Sequence, residues 1–129
     1  VFLALLNSNL FYWWITIFSD CRNLNKREVF SAHLNFEKAT TDVVKRLSAL
    51  SEKLMKALKS SSKMLQMTYE GLGVLQIQCT YPKNSKSLID EIDHVLAQHY
   101  DFTDEELDLI INDAIKYRMG GELEGEPND

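Results

Sequence analysis

Thr41-Asp42-Val43-Val44-Lys45-Arg46-Leu47-Ser48-Ala49-Leu50-Ser51-Glu52-Lys53-Leu54-Met55-Lys56-Ala57-Leu58-Lys59 carries Val43, Leu47, Leu50, Leu54 and Leu58 at steps of three and four residues. With about 3.6 residues per helical turn, these five fall on one stripe, and Lys45, Arg46, Glu52, Lys53, Lys56 and Lys59 lie mostly off it. Thr40, Thr41 or Asp42 can supply the oxygen that caps its first turn. Ser60-Ser61-Ser62 weakens the helix, because short hydroxylated side chains compete for backbone hydrogen bonds. The stripe lasts little more than two heptads, short for a coiled coil.

Downstream, the helical stretch resumes through Met64 to Met67 and breaks at Glu70-Gly71-Leu72-Gly73, a helix-to-strand turn. Leu75, Ile77, Cys79 and Tyr81 then alternate with Gln76, Gln78 and Thr80, as a strand with one polar face requires. A lone strand leaves its edges unpaired, so its partners are expected in preceding sequence or in the His33 to Phe36 region. Tyr81-Pro82-Lys83-Asn84 ends the strand. Ser85 or Ser87 can cap the next helix, whose apolar face is Leu88, Ile89, Ile92, Val95 and Leu96. Thr103 and Glu106 have capping-box spacing, and Asp104 and Glu105 suit the positive end of the helix dipole. Leu107, Ile110, Ile111, Ala114 and Ile115 form the inward stripe, with Gly120 as its stop. The pair makes a helical hairpin with Tyr100 and Phe102 wedged at its bend.

Upstream, Val1 to Phe18 is apolar but interrupted at Asn7-Ser8-Asn9. A membrane span needs about 20 mostly apolar residues, and a signal peptide needs basic residues ahead of its apolar part. Two short buried helices, Val1 to Leu6 and Leu10 to Phe18, capped by Ser8 or Asn9, fit better. Behind them stands Ser19-Asp20-Cys21-Arg22-Asn23-Leu24-Asn25-Lys26-Arg27-Glu28, a cluster of cations and amides beside an aromatic wall. Such groups hold a polyanion in register. Locally, Asp20 can instead pair with Arg22 and cap a helix beginning near Asn25.

The net charge of −5 conceals a division. Between Asp20 and Lys63 there are ten Lys or Arg against five Asp or Glu, and from Asp90 to Asp129 thirteen acids against two bases. Attraction to phosphate follows the field within a Debye length of about 8 to 10 Å, so the basic half can lie against DNA. The lysines of the Val43 to Leu58 helix read more simply as its solvated face. At 129 residues and 45% apolar, the chain suits one domain with a modest core. It opens inside a helix-like run without methionine, which points to a piece of a longer protein. Cys21 and Cys79 lack paired spacing, which suits a cytoplasmic protein without disulfides, and Cys79 reads as a small buried side chain. His33, His94 and His99 lack ligand spacing, so no metal site is expected.

Three stretches carry a family resemblance. They are Leu5-Leu6-Asn7-Ser8-Asn9-Leu10-Phe11-Tyr12-Trp13-Trp14, the Ser19 to Glu28 run, and Ser87-Leu88-Ile89-Asp90-Glu91-Ile92-Asp93 through Tyr100 to Asp108 and on to Lys116-Tyr117-Arg118-Met119-Gly120. Together they resemble the C-terminal, target-recognition part of large bacterial adenine-specific DNA methyltransferases of restriction-modification and phage-defence systems. Phe30 to Gln78 has no counterpart in detail, and Asp113-Ala114 stands where the family pattern has an aromatic residue followed by an acid.

The family's Asn/Asp-Pro-Pro-aromatic loop is absent, and Gly71-Leu72-Gly73 lacks the strand-to-helix context of a cofactor loop. No catalytic residue is therefore assigned to this segment. The resemblance implies a parent enzyme, possibly fused to an endonuclease, that uses S-adenosylmethionine bound elsewhere, with double-stranded DNA and the rest of the parent as partners. Arg22, Lys26 and Arg27 become candidates for phosphate contacts, and Asn23 and Asn25 for base-edge or backbone contacts.

The expected architecture is mainly α with a small β component: a C-terminal helical hairpin, a long central amphipathic helix and one or two strands. Its expected parts are a recognition-like region over 1–81, the hairpin over 82–120 and an acidic, disordered tail over 121–129. Two rival functions are a helical protein–protein interaction module using the Val43 to Leu58 stripe and a small membrane-anchored protein using Val1 to Phe18.

Overall fold

Ser8 divides the N-terminal apolar run in the computed structural model, which describes residues 1–31 and 36–117. With its backbone extended at φ −73° and ψ 156°, it separates α1 (Phe2–Asn7) from α2 (Asn9–Phe18). Its hydroxyl accepts the Phe11 N–H at 3.0 Å and donates to the Leu5 carbonyl at 2.6 Å. One side chain thus ends the first helix and starts the second. Among the described residues no helix is long and apolar enough to cross a membrane.

The remaining elements are α3 (Lys26–Ser31), α4 (Thr41–Ser60), β1 (Lys63–Tyr69), β2 (Gly73–Cys79), α5 (Lys86–Tyr100) and α6 (Asp104–Tyr117), with single 3-10 turns at Phe36–Lys38 and Pro82–Ser85. The described chain is therefore mainly helical with one small sheet. Gly120, the acidic tail and His33 lie outside the described residues.

α4 begins where the capping oxygens were expected, the Thr40 side chain accepting the Val43 N–H at 3.3 Å. Its apolar stripe is the centre of the core. Leu47 and Leu54 are enclosed with Ile89, Ile92 and Leu96 of α5, and Ala4, Leu5 and Phe11 of α1 and α2 close the same cluster. The stripe is consequently spent inside the chain and is not open to a partner helix.

α6 packs mainly on α2 and less on α5, through Leu107, Ile110 and Ala114. Its capping box is complete: the Thr103 N–H donates to Glu106 Oε2 at 2.9 Å, and the Glu106 N–H donates to Thr103 Oγ1 at 3.2 Å. Tyr100 and Phe102 stack at the bend, ring centroids 5.8 Å apart.

Two expectations are corrected by β1. Met64 to Met67 is a strand, not a continuation of the helix, and the partner of the Leu75 to Cys79 strand is its immediate neighbour. The two strands pair antiparallel, with Leu65 opposite Ile77 and Met67 opposite Leu75. Met, Leu and Gln favour helices locally, but Leu65, Met67 and Tyr69 alternate with Gln66 and Thr68 in the same way as the second strand does. Glu70-Gly71-Leu72 is thus a hairpin turn closed by the Leu72 N–H on the Tyr69 carbonyl at 3.2 Å, with Gly71 at φ +87° where an L side chain is strained. Cys79 is half-buried at the hairpin's root, not enclosed.

Asp93 faces inward from α5 and is 1% exposed. Its Oδ1 accepts the Leu10 N–H at 3.1 Å, and the Asn9 side chain also bonds it. Its Oδ2 is enclosed without a hydrogen-bond partner. Burial pushes the carboxyl up to about 7, against the opposing pull of those donors at the start of α2.

Two consequences follow for stability. Leu54→Ala should cost about 2–5 kcal/mol in chemical denaturation, since a fully enclosed side chain leaves a cavity. For Asp93, the folded chain holds the proton more tightly than the unfolded one, so its contribution is most favourable below about pH 4 and is lost as pH rises to about 7. Thermal melts at pH 5 and pH 8 should show Asp93→Asn losing less stability than the wild type across that window; equal losses would contradict the burial argument.

Candidate nucleic-acid interface

α2 ends where the Ser19 N–H meets the Ile15 carbonyl at 2.9 Å. The following turn is shaped by two short polar side chains. Ser19 Oγ accepts the Cys21 N–H at 3.3 Å and Asp20 Oδ1 accepts the Arg22 N–H at 3.1 Å. Cys21 takes a left-handed φ of 57° between them, an uncommon conformation for a residue with a Cβ. Asp20 therefore meets Arg22 through the backbone, and among the described residues the Arg22 guanidinium has no ion pair.

Where the loop enters α3, Glu28 reaches back three residues. Its Oε2 accepts the Asn25 N–H at 3.1 Å while its Oε1 meets Arg27 Nη2 at 3.1 Å. This is half of a capping box. Glu28 is 2% exposed although its neighbours are open. Its carboxyl is held below the ordinary value, first by its own backbone N–H, then, against the cost of burial, by Arg27 and the Asn25 N–H.

All five candidates, Arg22, Asn23, Asn25, Lys26 and Arg27, are exposed on this one short segment. Arg27 keeps a side chain 78% exposed while paired with Glu28. A pocket of about 420 Å³ lies beneath the loop, with Phe11, Tyr12 and Ile15 on the helix side and Cys21, Arg22 and Asn23 on the loop side. Leu24 is exposed within the segment, and Phe18 and Phe30 are exposed on the helices that flank it. The surface is thus cationic and amide-rich with apolar residues between, as the aromatic wall in the sequence suggested.

The other basic residues are arranged differently. Lys45, Lys53, Lys56 and Lys59 are exposed on α4, and Arg46 donates to Gln98 of α5 at 3.0 Å. They form the solvated face expected of this helix. Asp104, Glu105 and Asp108 are exposed on α6.

Among the described residues no group of three His, Cys, Asp or Glu side chains could hold a metal ion. The His94 ring bonds the Asp90 carbonyl one turn back at 2.7 Å, and His99 meets the Tyr100 ring edge-on at 4.8 Å.

Sequence reasoning missed two residues that shape this site. Glu28 was readable from its three-residue spacing after Asn25. Asp93 was readable as an acid on an apolar stripe, four residues after Ile89 and three before Leu96. Compared with known protein families, curated proteins and solved structures, the chain gives no match.

Glu28→Ala should expose the Asn25 amide to solvent and speed its hydrogen exchange several-fold, leaving amides in α4 and α5 unaffected. The sign with pH is opposite to that of Asp93. A lowered carboxyl stabilises the loop above its ordinary value near 4.5 and ceases to do so as pH falls through the folded value. Protection of the Asn25 amide in the wild type should therefore fade on acidification, and pH-independent protection would remove Glu28 as the latch.

Proposed function

We propose that this chain is the C-terminal, non-catalytic segment of an adenine-specific DNA methyltransferase of restriction-modification type, contributing to DNA binding and target recognition. The observation that carries the reading is the Ser19 to Glu28 segment, on which three cations and two amides are exposed between a turn held by Ser19 and Asp20 and a helix start held by Glu28. A cation beside a hydrogen-bonded turn loses less conformational freedom on meeting phosphate than one on a free chain. The sequence resemblance at both ends supplies the class of parent enzyme.

In this reading Arg22, Lys26 and Arg27 meet the phosphate backbone, and Asn23 and Asn25 lie near base edges or sugar. The exposed acids of α6 stand on a different element and repel phosphate, so they are not part of the contact surface. Modifying a base inside a duplex requires extruding it, and the surrounding duplex has to be held in register meanwhile. That is the task assigned to this segment. The methyl donor, S-adenosylmethionine, and the reacting groups belong to the rest of the parent.

The test is duplex binding by the full-length protein as a function of salt. Each phosphate that is no longer neutralised lowers the slope of log K against log salt by about 0.9. Replacing Arg22, Lys26 and Arg27 together by Ala should weaken binding and flatten that slope by about 2 to 3. Unchanged affinity and slope would remove these residues from the binding surface.

A further inference from the structure

The β1–β2 hairpin is a two-faced ribbon. Directly opposed residues of an antiparallel pair share a face, so one side holds Leu65 with Ile77 and Met67 with Leu75. The other holds Gln66 with Gln76, Thr68 with Val74 and Met64 with Gln78, all six exposed. Gln78 donates to Ser62 Oγ at 2.8 Å. Among the described residues the amides of Gln66 and Gln76 have no hydrogen-bond partner, and they stand side by side.

Charge along the ribbon and its root is sparse and mostly positive. From Lys59 to Thr80 the chain contains Lys59 and Lys63 and one acid, Glu70 at the tip of the turn. Lys59 lies in the last turn of α4 and Lys63 opens β1, both exposed at the root. Neither strand carries a carboxylate that would repel a phosphate backbone.

We propose that this ribbon enters the major groove of a DNA duplex and reads an A·T pair through Gln66 and Gln76, with Lys59 and Lys63 meeting the flanking phosphates. The inference deepens the DNA-binding reading above and rests on it. A groove about 12 Å wide admits a two-stranded ribbon. Directly opposed side chains have Cβ atoms about 4.5–5.5 Å apart, so both amides fall within one to two base-pair steps of about 3.4 Å. A primary amide donates and accepts at once, and so matches the adjacent N6 donor and N7 acceptor of adenine, whereas a hydroxyl such as Thr68 discriminates less.

The experiment is selection from a random-sequence duplex pool by the full-length protein. The wild type should enrich A·T at one or two adjacent positions that the double variant Gln66→Ala with Gln76→Ala no longer prefers, a loss of about 10-fold or more in discrimination there. The salt slope should stay unchanged, in contrast to the Arg22, Lys26 and Arg27 variant. Gln76→Arg should move the preference at one position from adenine to guanine, because a guanidinium matches guanine O6 and N7; a merely structural role for Gln76 would not produce that. Circular dichroism should match the wild type for both variants. Duplex binding with the same enriched sequence in every variant overturns the ribbon and leaves the proposed function standing, as does an equal weakening on all sequences. Absence of duplex binding by the wild type, or a preference for RNA, overturns both.

Discussion

A carboxyl group buried against the first turn of α2 ties α5 to the N-terminal helices. Asp93 and Leu10 are 83 residues apart in sequence and 3.1 Å apart at their bonding atoms. Two effects oppose each other there. The N–H groups at a helix start favour an anion by about 0.3–2 kcal/mol, whereas enclosure penalises it. The carboxyl is raised, so enclosure wins, and neutral Asp93 is the form that the folded chain prefers up to about pH 7. The contact therefore contributes geometry more than stability. Ser8 sets where α2 begins, and Asp93 and the packing of α6 hold α2 against the rest of the helices.

Placement matters because the chain is acidic as a whole. Ten cations stand between Asp20 and Lys63, but those of α4 line a solvated helix face, while Arg22, Lys26 and Arg27 share one short segment. Screening confines each charge to roughly a Debye length, so local placement decides whether a polyanion meets attraction or repulsion. Local turns held by Ser19 and Asp20 at one end and by Glu28 at the other narrow the backbone positions from which the three cations extend. The β1–β2 ribbon continues the same logic in a region that has lysines at its root and amides along one face.

Much of this was readable from residue order. The Ser8 break, the Thr40 cap, the α4 stripe and the Thr103–Glu106 box rest on local rules, and local rules suffice where the partner atom lies within four residues. The hairpin failed that test from one side. Met64-Leu65-Gln66-Met67 has helix-favouring composition, and only its alternation, read together with Leu75 to Cys79 across two glycines, discloses β1. Tertiary pairing overrode propensity there. At the candidate site the five exposed residues were legible as a cluster, and their presentation was not. Glu28 acts through a local bond that its three-residue spacing after Asn25 discloses, whereas the enclosure of Asp93 depends on which elements come together in space. The destination of the α4 stripe was hidden for the same reason: spacing predicts an apolar face but not that α1 and α5 cover it.

The central claim, that the Ser19 to Glu28 segment is a duplex-facing surface, is tested most directly by hydrogen–deuterium exchange of the full-length protein with and without double-stranded DNA. The account predicts slowed exchange across residues 19–28 on adding duplex, reversed by high salt, with the α6 amides unchanged. Protection confined to α6 or elsewhere, with 19–28 exchanging at the same rate in both states, would contradict it.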